Sequence, residues 1–299
     1  MESTEPQLTS LLPNAVLDRV GRMRLNSARR FTNRARGEHL HGKGGTSTEF
    51  ADYRDYVEGD DIRYVDWNIF ARLQKPYLKL YQHEEEMYVV LLIDASTSMM
   101  FEDKLDRARQ MAAVFSTMGL FANERVSIYV FTGQDDKMPM LPRNSGRGSM
   151  QKIFKYLENI EGGGDAPLEK GVEMMLKHHR GRGVAVILSD FLTYNNLAPA
   201  LNRTYSSGLE VFGMQILGPT EIDPEMTEDL KLIDCENDAM LDVTLSGDLM
   251  DIYQEYRLRY QRHLELLCSQ RSGKFLMVNS KHPIEYVVLD QLRRSGWVT

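Results

Sequence analysis

Five apolar residues in succession, Val89, Val90, Leu91, Leu92 and Ile93, run directly into Asp94, Ser96 and Ser98, so that an oxygen-bearing side chain stands at every second position after the run. An unbroken apolar stretch of this length predicts a strand covered on both faces, as at the centre of a parallel sheet. Gly183–Leu188 repeats the pattern and ends on a carboxylate at Asp190, while Val126–Phe131 and Leu209–Leu217 read as further strands. Between them the apolar spacing changes to three and four. Leu105, Ala108, Ala112, Phe115 and Gly119 predict an amphipathic helix, and helices are also expected over Ser149–Ile160, Leu168–His178, Leu197–Tyr205 and Asp248–Gln270, the last ended by Gly273. Pro219–Asp229 reads as an acidic loop and Asp242–Leu245 as a short strand, and Phe275–Val278 and Pro283–Arg294 close the chain as strand and helix. This alternation predicts an α/β fold, a doubly wound and mostly parallel sheet with helices on both faces. The expected division is an extension over residues 1–84, made of a basic helix and a charged, aromatic capping segment, followed by the sheet domain over residues 85–299.

Open parallel sheets bind ligands at the carboxyl ends of their strands. Asp94 with two serine hydroxyls is a donor set for a hard cation, and Mg²⁺ or Mn²⁺ suits it best, because both prefer oxygen and retain several waters. Asp190, at the end of a second strand, would lie on the same rim. Between the two strands Gly162–Asp165 reads GGGD, a loop whose backbone can approach an ion closely. Short runs of Asp and Ser also cap helices and shape turns, so the pattern alone is a weak signal.

These residues resemble the von Willebrand factor A-type domain and its metal-ion-dependent adhesion site, a DxSxS motif followed by a loop threonine and then an aspartate after a later strand. Asp94, Ser96, Ser98 and Asp190 match that pattern. The loop departs from it, because Gly164 stands where the threonine belongs, and Asp165 is the nearest replacement. The resemblance implies a von Willebrand factor A-like fold, Mg²⁺ or Mn²⁺ as the ion, and an open coordination position that a carboxylate from a partner protein fills. Gly164→Thr would then tighten ion binding.

Upstream, residues 49–72 read EFADYRDYVEGDDIRYVDWNIFAR. Taken alone this is a segment of alternating Arg and Asp interleaved with aromatics, best read as a salt-bridged cap with a turn at Glu58–Asp60. Arg63→Ala and Asp66→Ala are expected to destabilise it by stranding a buried charge. The segment also resembles the signature of the bacterial family called domain of unknown function 58, through Glu49, Phe50, Arg54, Tyr56, Gly59, Asp60, Asp61, Arg63, Asp66, Trp67, Ala71 and Arg72. That resemblance, which runs from about Gly37 to the carboxyl terminus, implies a non-enzymatic adaptor or chaperone partner of a MoxR-type AAA+ ATPase.

Composition is ordinary for a globular chain, with 42% hydrophobic and 26% charged residues in 299. No apolar run approaches the length of a membrane span, and the first thirty residues lack the apolar centre of a signal peptide, so a cytoplasmic location is expected. Cys235 and Cys268 form no ligand spacing or disulfide framework. The net charge of −7 is uneven, with residues 1–44 at +4, from Arg19, Arg22, Arg24, Arg29, Arg30, Arg34, Arg36 and Lys43 against four acids. A helix from about Asn14 to Arg30 would carry most of these cations. The acidity of the remaining chain argues against nucleic acid as the partner.

Enzyme signatures are weak. Gly37–Lys43, GEHLHGK, imitates a phosphate loop, but Gly44 replaces the hydroxyl residue and no apolar strand precedes it. Ser96 stands where a phosphoryl-transferring aspartate enzyme would place its second Asp. No nucleophile elbow occurs, and the histidines fall in no ligand spacing. A protein-binding module is the favoured expectation. The alternative is a metal-dependent hydrolase acting on a phosphoester, in which the same ion would activate water.

Overall fold

In the computed structural model, which describes residues 7–28, 32–33, 49–84, 87–132, 138–165, 167–193, 195–224, 230–233, 240–243 and 247–299, the chain divides into two compact units. In chain order the elements are α1 (Asn14–Val20), β1 (Thr32–Asn33), β2 (Glu49–Asp55), α2 (Trp67–Leu73), β3 (Tyr77–Glu84), β4 (Tyr88–Asp94), α3 (Lys104–Phe121), β5 (Arg125–Phe131) and β6 (Met140–Asn144). They continue with α4 (Met150–Glu158), α5 (Leu168–His178), β7 (Gly183–Ser189), α6 (Ala198–Ser206), β8 (Leu209–Leu217), α7 (Pro219–Ile222), β9 (Leu230–Ile233), β10 (Met240–Val243), α8 (Gly247–Ser269) and β11 (Lys274–Asn279). A last helical stretch has a π segment at Val287–Gln291 between α turns at Ile284–Tyr286 and Leu292–Arg294.

The larger unit, Met1–Ala28 with Met87–Thr299, is built on a six-stranded sheet in the order β11-β8-β7-β4-β5-β6, parallel except for the edge strand β6. The central strand β4 is buried along its whole length, which is why its sequence is continuously apolar rather than alternating. Its side chains divide between two cores. Val89, Leu91 and Ile93 enter one with α3, α4 and the C-terminal helical stretch, and Tyr88, Val90 and Leu92 enter the other with α5, α6 and α8. The chain leaves β4 toward β5 and later returns on its other side as β7, so β4 and β7 flank the point where the strand order reverses. Doubly wound sheets open a crevice at that point.

Helix α3 is buried nearly all round, not on one face as its periodicity predicts. Ala113, Val114, Thr117 and Leu120 are covered as fully as the predicted face. The extra cover comes from α1, α4 and Trp297, whose indole packs on Phe115 and Phe212 at ring-centroid distances of 5.7 and 5.0 Å. Gly119 lets the helix lie against the sheet, since a Cβ there would meet Val126 at 2.9 Å and Val89 at 3.1 Å.

Two sequence expectations change. The basic helix is much shorter than Asn14–Arg30, for it ends at Val20, and it belongs to the sheet unit, into whose core it sends Val16, Leu17 and Val20. Arg24 turns back to donate to the carbonyls of Gly21 and Met23 and to Phe121 at the end of α3, so this cation holds two chain segments together. Residues 34–48, with the GEHLHGK run, lie outside the described residues, as do residues 225–229 of the expected acidic loop. The described start of that loop is the helical turn α7. Among the described residues no helix is long and apolar enough to cross a membrane.

The smaller unit, Arg29–Glu86, is a sheet of order β1-β3-β2, with α2 between its hairpin strands β2 and β3. Asp66 caps α2 by accepting from the N–H groups of Asn68 (2.9 Å) and Ile69 (3.2 Å), as an N-cap aspartate should. It also takes Lys79 at 3.0 Å and the Tyr53 hydroxyl at 3.1 Å. The Lys79 contact foremost, with the backbone donors behind it, holds its carboxyl below the usual range. Arg54 grips Asp60 with both guanidinium nitrogens at 2.7 Å, and the Val57 N–H reaches the same carboxylate. Gly59, at φ +104°, makes the turn that the sequence places at Glu58–Asp60. Arg63 does not strand a buried charge when removed, since its side chain is 80% exposed and its partner Asp61 is itself 34% exposed. Trp67 and Arg72 of the same signature are exposed as well.

Candidate functional site

Strands β4 and β7 run parallel in a register that pairs Ile93 with Leu188, so Asp94 and Ser189 end their strands side by side. The Ser189 hydroxyl donates to Asp94 Oδ2 at 2.7 Å, and the Ser96 N–H donates to Asp94 Oδ1 at 3.0 Å. Ser96 and Ser98 face each other with Oγ atoms 3.1 Å apart. The four predicted residues Asp94, Ser96, Ser98 and Asp190 therefore sit on one rim of the sheet, on the two strands that flank its reversal point. Burial, and then the charge of Asp190, push the Asp94 carboxyl up to about 6.

Asp190 is tied down from three sides. The Leu192 N–H donates to its Oδ1 at 3.0 Å, Gln215 on β8 donates to its carbonyl at 2.9 Å, and the Lys104 ammonium lies 2.9 Å from its Oδ2. Lys104 opens α3, and both it and Asp190 are almost completely buried, at 1% and 3% side-chain exposure. Its ammonium also meets Glu221 Oε1 at 2.6 Å, while Glu221 Oε2 takes the Gly218 N–H at 2.7 Å. Burial alone would lower the lysine's pKa, but Asp190 and Glu221 together outweigh it and raise the value, so the ammonium is charged throughout the neutral range. Neither Lys104 nor Glu221 was singled out from the sequence. A lysine at the start of an amphipathic helix reads as a solvated residue, and only the coverage of α3 on all sides shows otherwise.

The loop expected to supply a further ligand is held by the motif itself. Thr97 donates its N–H (2.9 Å) and its hydroxyl (3.1 Å) to the carbonyl of Gly164, and the Gly163 N–H donates to the Ala95 carbonyl at 2.8 Å. Gly164 has φ +84° and Gly163 φ +136°, conformations that L side chains rarely adopt. Asp165 is exposed. A threonine at position 164 would therefore strain the loop rather than complete a coordination sphere, and Gly164→Thr is expected to lower stability by about 1–2 kcal/mol in urea denaturation.

Whether the rim fits Mg²⁺ or Mn²⁺ can be judged from its donors. Both oxygens of Asp94, both of Asp190 and both of Glu221 already accept from Ser96, Ser189, Leu192, Lys104 and Gly218. A cationic nitrogen stands against the second aspartate, and the loop residue in the threonine position has no side-chain oxygen. Among the described residues no three of His, Cys, Asp and Glu gather as a metal-binding group. With the Lys104 ammonium already against both Asp190 and Glu221, these two carboxylates do not fit a divalent ion as folded.

Beside this polar centre the rim also carries exposed apolar side chains. Met100 and Phe101, at the kink that interrupts the short helical turns over Thr97–Asp103, are 59% and 49% exposed, and Leu192, two residues after Asp190, is 52% exposed. Phe191 between them is buried with φ +58°, a conformation rare for a bulky residue, and its carbonyl takes the Tyr260 hydroxyl. That twist turns the chain so that Phe191 enters the core while Leu192 faces out. Cys268, the one cysteine among the described residues, is buried, and burial pushes its thiol up to about 12, which makes it a poor nucleophile.

An uncharacterized protein of Mycobacterium tuberculosis is 27% identical over 222 residues, covering 72% of this chain and 69% of its own. One from Mycobacterium bovis matches to the same extent. Among solved structures, the conserved hypothetical protein BatB of Bacteroides thetaiotaomicron is similar over 70% of this chain and 98% of its own, with 12% identity and a TM-score of 0.42. An aerotolerance-related membrane protein of Bacteroides fragilis gives a TM-score of 0.42 at 15% identity, over 70% and 99% of the two chains. A family described as protein of unknown function DUF58 matches residues 52–265, which takes in the hairpin unit from β2 onward and the rim with Asp94, Lys104 and Asp190. The chain belongs to the DUF58 family.

Proposed function

We propose that this chain is a non-enzymatic protein-binding module with a von Willebrand factor A-like domain, acting in the cytoplasm as an adaptor or chaperone partner of a MoxR-type AAA+ ATPase. The observation that carries the docking surface is the exposure of Met100, Phe101 and Leu192 beside the buried Asp94 and Asp190. Large apolar side chains held in water at the carboxyl rim of a sheet gain free energy when a partner covers them, at roughly 25 cal/mol per Å². The partner's type rests on the likeness of residues 49–72 and of the DxSxS strand to the family signature. The reading does not require an ion, because the exposed apolar side chains supply contact and the polar centre supplies a fixed frame.

The test is binding of the purified chain to a purified MoxR-type ATPase, followed by calorimetry and by ATPase rate. Phe101→Ser combined with Leu192→Ser is expected to weaken binding by at least about tenfold, that is 1.4 kcal/mol or more, with the melting temperature unchanged. Undiminished binding by the double variant would place the interface elsewhere. Turnover of a generic phosphoester that disappears in Asp94→Ala would replace this reading with the hydrolase.

A further inference from the structure

We infer that the Lys104 ammonium is the resident cation of this rim, standing in for a divalent ion and making the site independent of metal. Three observations carry the assignment. The ammonium sits at 2.9 Å from Asp190 and 2.6 Å from Glu221, so it bridges the carboxylate just after β7 to one in α7, the helical turn that follows β8. Its side chain is 1% exposed, so the charge belongs to the interior and is not a passing surface contact. The remaining carboxylate oxygens each accept from a backbone N–H or from the Ser189 hydroxyl, and at Gly164, which has no side-chain oxygen to offer, the positive φ disfavours the side chain that would supply one.

The electrostatic logic is simple. A buried carboxylate needs a counter-charge, and a divalent ion and a lysine ammonium are two ways to supply one. The lysine brings its charge on a covalent arm from the first residue of α3, so occupancy is complete at any ion concentration. It also brings one positive charge rather than two, which leaves no excess to attract a carboxylate from a partner. Recognition at this rim then rests on the apolar side chains around it.

Mn²⁺ binding by the full chain, read from the electron paramagnetic resonance signal of the free ion, tests the assignment. The unaltered chain is expected to show no site tighter than on the order of 1 mM, the weak end of protein cation sites. In Lys104→Gln the vacated pair Asp190 and Glu221 should gain Mn²⁺ affinity by at least about tenfold, with a melting temperature that rises as Mn²⁺ is added. Should that variant fail to fold, Lys104→Arg keeps a cation in place and must be folded and silent toward Mn²⁺. A site of submillimolar affinity in the unaltered chain or in Lys104→Arg, lost on Asp94→Ala, would overturn the assignment, as would a folded Lys104→Gln chain that gains no affinity. The readout is ion binding by the chain alone, so its failure leaves the docking reading standing, and loss of docking leaves this one standing.

Discussion

Lys104→Met is expected to destabilise the folded chain by about 3–5 kcal/mol, because it leaves Asp190 buried at 3% side-chain exposure without its counter-charge. The methionine fills most of the volume, so the loss is electrostatic rather than a cavity. A second substitution separates the two: adding Asp190→Asn removes the stranded charge, and the double variant should recover most of the loss. Glu221 does not cancel this recovery, since its side chain is 21% exposed and reaches water. Equilibrium urea denaturation of the single and double variants measures both effects. A Lys104→Met chain as stable as the parent would mean that the pair contributes nothing, as many exposed pairs do.

Trp297→Ala is expected to cost about 3–5 kcal/mol as well, through a different mechanism. The indole is 0% exposed, packs on Phe115 and Phe212, and sits where the carboxyl terminus meets the amino-terminal segment. There the Asn26 N–H donates to the Trp297 carbonyl at 2.8 Å, and Arg24 and Thr299 exchange backbone hydrogen bonds at 3.1 and 3.0 Å. Removing the ring opens a cavity under that junction. Hydrogen exchange should then show residues 14–26 losing protection before the sheet strands do. Uniform loss across β4, β7 and β8 at the same rate would show that the terminus is no separate unit.

The five parallel strands of the larger sheet, their order of appearance and most helices were legible in the chain alone, whereas the strands β1, β2 and β3 of the smaller unit were not. Val89–Ile93 reads as a continuous apolar run because its strand is buried on both faces, Leu209–Leu217 reads as a strand despite Glu210 and Gln215 within it, and the predicted helix Leu168–His178 coincides with α5. The same patterns led to Asp94, Ser96, Ser98 and Asp190, since a buried strand that ends in a polar residue announces the carboxyl rim of a sheet. Local sequence could not show what neutralises them. Lys104 and Asp190 are 86 residues apart and Lys104 and Glu221 are 117 apart, and no periodicity connects residues whose only relation is the place where three elements end. The antiparallel edge strand β6 was equally hidden, because Met140–Asn144 is exposed along one side and carries Pro142 and Arg143, a weak strand pattern at a position where an edge tolerates both. Glu210, a fully buried acid within β8, holds the Ser27 hydroxyl and the Ala28 N–H at 3.0 Å and so fixes the amino-terminal segment. Apolar burial is recorded locally, one residue at a time, and the sequence by itself determined that much. The pairing of buried charges depends on which chain ends the fold brings together, and only the tertiary structure decided it.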